Sequence, residues 1–139
     1  MGARRKGRII AFQVIFSWDL NKTGIENLYN LEWLDTEKDK ITEESIVFAK
    51  LLIKGTLENV SEIDEKIRQH IDNWDFKRIA KVDLAILRLS TYSLLFQKEI
   101  AGNIIIDEGV DISRVFSSDE SYRFINGVLD SIYKEMNDK

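Results

Sequence analysis

The sequence predicts an all-α protein, a compact bundle of about six to seven helices. Three observations lead there. The chain has no Pro and only seven Gly among 139 residues, a shortage of the breakers that a turn-rich β fold needs. Apolar residues recur at helical spacing along most of its length. The one strand-like run, Ile104 to Ile106, has no partner strand. At 44% hydrophobic and 32% charged residues the chain should fold and stay soluble. Its length suits one domain, or two small halves sharing a core.

Residues 8–20 read as the first helix. Stepping about 100° per residue puts Ile9, Phe12 and Phe16 on one side and Ile10 and Val14 opposite. Ala11, Ile15 and Trp18 fill more of the circumference. A helix apolar on nearly all sides belongs at the centre of a bundle. Residues 24–34 suggest a shorter second helix, and "DTEKDKIT" a charged connector. From Glu43, Ile46, Ala49, Ile53, Thr56/Leu57, Val60, Ile63, Ile67 and Ile71 keep helical spacing. "SEID" at Ser61 resembles a helix-starting cap, so two helices are expected, breaking near Asn59. His70 ends the second, at a surface or joint position. "NWDF" (Asn73 to Phe76) is a turn. Ile79, Val82, Ile86, Leu89, Ser93 and Phe96 then mark the most strongly patterned helix, ended by "QKEIAGN". "NIIIDEGVDISRVF" fits a helix loosely, and Gly109 costs it about 1 kcal/mol relative to Ala. Ser117 with Glu120 reads as a capping box. The last helix buries Tyr122, Ile125, Leu129, Ile132 and Met136.

Charge is distributed unevenly. Arg4, Arg5, Lys6 and Arg8 crowd the first eight residues without an acid, although the net charge is −4. Without these four, 16 basic residues face 24 acidic ones, a balance of −8. A positive arm on an acidic body suits nucleic acid or an anionic membrane surface, and a solvated tail is the alternative. The arm followed by "IIAFQVIF" mimics a signal peptide. Gln13 interrupts the apolar run, however, and "SWDLNK" replaces a cleavage site. No run approaches the roughly 20 apolar residues of a membrane span. A cytoplasmic protein is expected.

The chain has no Cys and a single His. Disulfides, thiolate nucleophiles and Cys-ligated or multi-His metal sites are excluded. With one His and no Cys, no nucleophile–base–orienter set is expected to assemble at all, and nothing points to a Ser–Lys pair. The glycines are isolated and form no phosphate-cradling loop. No cofactor and no catalysis are therefore expected. One group on the last helix stands apart. Phe124 falls about 100° off the buried face, Arg123 points further out, and Glu120 lies one turn before. These three can stack a base, hold a phosphate and accept a base-edge hydrogen bond. Alternatively, Phe124 packs on a neighbouring helix and Glu120 caps its own.

"DNWDFKRIAKVDLAILRLSTYSLL" with "SDESYRFINGVLDSIYKEM" closely resembles the NusB family of transcription antitermination factors. "ARRKGRIIAFQVIFSWDL" resembles that family's arginine-rich arm and first helix. The resemblance implies two three-helix-bundle-like halves, about 1–72 and 73–139. It implies a protein without catalysis. Such a protein would bind single-stranded boxA RNA together with NusE, a small-subunit ribosomal protein, and help load an antitermination complex on RNA polymerase during ribosomal RNA synthesis. Carried over by position, the RNA surface comprises Arg4, Arg5, Lys6, Arg8, Phe16, Glu120, Arg123 and Phe124. Phe16 stands where Tyr is frequent and has a second reading as a core aromatic. Glu120 stands where Asp is common. Asp83 matches an acidic position facing NusE, or is a solvated helix residue. If the four N-terminal cations each neutralise a phosphate, log affinity falls against log salt with a slope of about −2.8. "EIAGN" replaces a usual Pro and Gly109 a usual Ala, which should loosen the penultimate helix. Some family members hide the RNA surface in a dimer, and the sequence leaves monomer and homodimer open. A helical adaptor whose arm binds an acidic protein is the competing reading.

Overall fold

The structure is a computed structural model that describes residues 2–21, 29–72 and 75–137. Among these residues it has six α-helices and no strand: α1 (Ala3–Asn21), α2 (Glu43–Glu58), α3 (Val60–Arg68), α4 (Lys81–Phe96), α5 (Gly102–Phe116) and α6 (Asp119–Asn137). One 3-10 turn, Phe76–Arg78, is capped by Asp75, whose side chain accepts from the Lys77 N–H at 3.0 Å. Of the helix expected over 24–34, residues 24–28 lie outside the described residues. Residues 31–34 form a turn that opens on Leu31 at φ 57°.

The centre of the molecule is α4, not α1. Every residue from Asp83 to Leu94 is buried, and α4 packs against α1, α2, α3, α5 and α6. That fits a helix apolar around its whole circumference. Ile86 and Leu87 are fully enclosed, as are Ile15 of α1, Ile53 of α2, Ile63 of α3 and Ile125 and Leu129 of α6. Each such side chain contributes about 1.5–3 kcal/mol on burial. Arg88, the buried cation of α4, is matched by carboxylates. Arg88 meets Asp64 of α3 at 2.8 and 2.9 Å and Asp19 of α1 at 3.4 Å. Burial works against its charge, but the two carboxylates leave its pKa above the ordinary arginine value.

Two breaks fall where the sequence puts them. α2 and α3 part at Asn59, whose side-chain amide donates to the Gly55 carbonyl at 2.7 Å. α4 ends at Phe96 and α5 begins at Gly102. The caps differ. Ser61 lies inside α3 rather than capping it. At α6 the cap is Ser118, which accepts from the Ser121 N–H at 3.3 Å. Ser117 is drawn away to Asp83. Gly109 lets α5 approach α4, because an added Cβ would lie 2.6 Å from Ser90 Oγ.

Candidate nucleic-acid interface

The basic start is no arm. Ala-Arg-Arg-Lys has good helix propensity, and α1 begins at Ala3, so all four cations lie in its opening turns. This end is held against α2. Ser45 Oγ donates to the Ala3 carbonyl at 2.8 Å. Gly7 permits the approach: a Cβ there would sit 2.9 Å from the Phe48 ring.

The four cations have different surroundings. Arg4 is exposed and Arg8 is buried, and both guanidinium groups lie over the Phe48 ring at 5.3 Å. Burial pushes the Arg8 pKa below the ordinary arginine value. Glu108 offsets this, and Arg4 and Arg5 add to it. Lys6 Nζ donates to the Lys40 carbonyl at 2.8 Å. Arg5 reaches the other way, to Glu108 of α5 at 3.0 and 3.2 Å and to Asp111 at 2.8 Å. The hydrogen bond and charge of Glu108 raise its pKa.

Side chains link α1 to α5 at two levels, in the same order along both helices. Arg5 meets Glu108 and Asp111, and further along the rings of Phe12 and Phe116 lie 5.1 Å apart. One turn beyond Asp111, exposed Arg114 stacks over the ring of Tyr122 on α6 at 4.8 Å. Arg123 lies over the same ring at 5.8 Å, and its Nε donates to the Tyr122 hydroxyl at 3.4 Å. That hydrogen bond, then the Arg123 charge, lowers the Tyr122 pKa. α5 thereby links the start of α1 to the start of α6. Tyr122, expected in the core, is only partly buried. Sequence reasoning missed Arg114. Its spacing from Asp111 on one helix face was the available signal.

Both candidate stacking residues line clefts. Phe16 is half-buried, stacks on Phe12 at 6.3 Å and borders a cleft of about 370 Å³ with Gln13, Trp33, Val82 and Phe116. It is thus core aromatic on one side and accessible on the other. Phe124, also half-buried, borders a cleft of about 410 Å³ with Arg123, His70, Asp72 and Ser131. Glu120 is exposed in the first turn of α6.

The second cleft corrects one expectation. Ser131 Oγ lies 2.7 Å from His70 Nδ1, and Glu135 lies 3.1 Å from Nε2. A Ser–His–carboxylate set is therefore assembled. Ser131 sits inside α6, however, where the surrounding N–H groups are committed to helix hydrogen bonds and none is offered to an oxyanion. With Lys66 bonded to Glu135 at 2.7 Å, the group clasps the end of α3 to α6.

Asp83 is not a solvated residue. It is buried, and it accepts from Ser117 Oγ at 2.8 Å and Ser121 Oγ at 3.0 Å. It ties the first turn of α4 to the junction of α5 and α6. No group of His, Asp and Glu able to hold a metal ion occurs among the described residues, and no described helix is long and apolar enough to cross a membrane.

The NusB family model matches residues 5–134. The transcription antitermination protein NusB of Treponema pallidum (strain Nichols) is 48% identical over 131 residues, covering 94% of this chain and 92% of that protein. Its Treponema denticola counterpart is 43% identical over 129 residues, covering 93% and 94%. Among solved structures, T. maritima NusB superposes with a TM-score of 0.85 at 34% identity, over 95% of this chain and 91% of that one. NusB from a complex of antitermination factors NusB and NusE with double-stranded RNA superposes with a TM-score of 0.85 at 28% identity, over 97% and 98%. With its helices, its arginine-bearing start and this extent of similarity, the chain belongs to the NusB family.

Proposed function

We propose that this protein is a cytoplasmic transcription antitermination factor that binds single-stranded boxA RNA together with NusE and joins the RNA polymerase antitermination complex. It catalyses no reaction. The observation that carries the reading is the bridge made by α5. Arg5 fastens the cationic start of α1 to one end of it, and Tyr122 brings the start of α6 to the other. Family membership supports the same reading.

Arg4, Lys6 and Arg123 are the cations for the phosphates. Arg8 is enclosed and Arg5 is held by two carboxylates, so these two support the surface rather than neutralise the strand. Three phosphate contacts give a salt slope of about −2.1. Phe16 and Phe124 offer faces to unstacked bases, and Glu120 offers an acceptor to a base edge. Bases paired in a duplex cannot stack on them, which favours a single strand. Asp83 serves the NusE-facing surface by fixing the junction of α5 and α6. The acidic remainder of the chain complements a basic ribosomal protein.

The test is a titration of boxA-like RNA, a scrambled strand and a boxA-like duplex, with and without NusE, at two salt concentrations. The reading expects preference for the single boxA-like strand and tighter binding with NusE. Equal affinity for all three RNAs would overturn it, and binding to none of them would favour the adaptor reading.

A further inference from the structure

The arginines sort by what holds them. Arg5, Arg68 and Arg88 are paired with carboxylates. Arg68 and Arg88 also lie over rings, but their charge is already matched. Four others lie over aromatic rings and, among the described residues, make no salt bridge. They are Arg4 and Arg8 on Phe48, and Arg114 and Arg123 on Tyr122. The difference has a chemical consequence. A carboxylate cancels the guanidinium charge and occupies its donors. A ring face orients the guanidinium without neutralising it, and even Arg123, whose Nε donates to the Tyr122 hydroxyl, keeps its terminal N–H donors and its charge for another anion. The pair at Tyr122 is the more exposed of the two, since Arg114 and Arg123 are both exposed whereas Arg8 is buried.

We infer that Arg114 and Arg123, both carried on Tyr122, form a two-arginine site for a backbone phosphate of the bound RNA, with Tyr122 as the positioning residue. The inference rests on the RNA-binding reading and adds Arg114 and Tyr122 to it. Arg114 stands one turn past Asp111, which holds Arg5. A strand passing from α1 to α6 over α5 meets Arg114 just beyond the acidic pair Glu108 and Asp111, where the cationic contacts resume. Asp119 and Glu120 lie in the same turn of α6 and form no ion pair with either guanidinium. They bound the site without filling it.

The experiment compares the full chain with Arg114→Ala, Arg114→Gln, Tyr122→Phe and Tyr122→Leu. Each is titrated with boxA-like RNA in the presence of NusE across a salt series, with inorganic phosphate as a separate arm. Loss of one phosphate contact lowers the salt slope by about 0.7, which over the decade from 1 M to 0.1 M is about a fivefold loss of affinity. Both Arg114 variants should show that loss. Tyr122→Phe keeps the ring and loses only the hydroxyl that accepts from Arg123 Nε at 3.4 Å, so it should lose less affinity than Tyr122→Leu, which removes the ring although no charge has changed. Inorganic phosphate should compete only weakly, because a single phosphate has no flanking contacts. An unchanged slope in both Arg114 variants, or unchanged affinity in Tyr122→Leu, overturns the inference while the RNA reading stands. A parent chain that binds no RNA removes the RNA reading itself.

Discussion

Converting Glu108 and Asp111 to their amides should tighten RNA binding. Arg5 with these two carboxylates forms a group of net charge −1, held by contacts of 2.8 to 3.2 Å. Glu108→Gln with Asp111→Asn keeps the shapes, leaves one acceptor oxygen on each side chain where Glu108 now uses two, and leaves the group at +1. Removing two negative charges about 10 Å from a phosphate, in water, contributes about 0.8 kcal/mol without screening. That is about fourfold in affinity at low salt. At 0.15 M, where the Debye length is about 8 Å, the gain shrinks to about 0.2 kcal/mol, or about 1.5-fold. The released Arg5 should also join the phosphate contacts and steepen the salt slope by about 0.7. The stability cost is small, because partly exposed ion pairs contribute about 0–1 kcal/mol each. Fluorescence anisotropy of labelled boxA-like RNA, with saturating NusE, measures affinity and slope together. Weaker binding, or tighter binding with an unchanged slope, would refute the assignment of Arg5 as a strut restrained by α5.

Two further outcomes concern the fold. Arg88→Ala leaves the carboxylates of Asp19 and Asp64 without their shared cation, a loss of about 3–5 kcal/mol. At about 0.29 kcal/mol per degree for a chain of this length, calorimetry should show Tm falling by about 10–17 °C. Glu135 is held below the usual carboxylate range, first by the Lys66 hydrogen bond. Its contribution is therefore complete above the unfolded carboxylate pKa of about 4.3 and is lost as pH falls through the lower folded value. Denaturant titrations of Glu135→Gln should show a flatter stability profile than the parent between about pH 5 and pH 3.

Local pattern carried most of the helices into view. The break at Asn59 follows from apolar spacing, and the helix over "NIIIDEGVDISRVF" from the want of a partner for a lone strand, since its spacing fits only loosely. The misjudged points are those where a distant residue competes with a local rule. Ser117 looks like a cap until Asp83, across on α4, takes its hydroxyl, and the cap passes to Ser118. Asp83 reads as surface because nothing nearby in sequence shows the two serines that enclose it. Gly109 reads as a weakness because Ser90 is invisible from its neighbours. The helical start of α1 was legible in its propensity but was outweighed by its charge. Sequence shows the candidate surface only as a list of cations, and Arg114 is hidden in it because its ring partner sits on the next helix. What the sequence could not show is which cations are matched by carboxylates and which are only held by rings.

The central claim is that one RNA strand spans the start of α1 and the start of α6. Photocrosslinking with a single boxA-like RNA carrying 4-thiouridine at successive positions, in the complex with NusE, tests it most directly. The account predicts crosslinked peptides from both the Arg4–Phe16 segment and the Glu120–Phe124 segment, from different positions of the same strand. Crosslinks confined to one segment, whatever the position of the label, would contradict it.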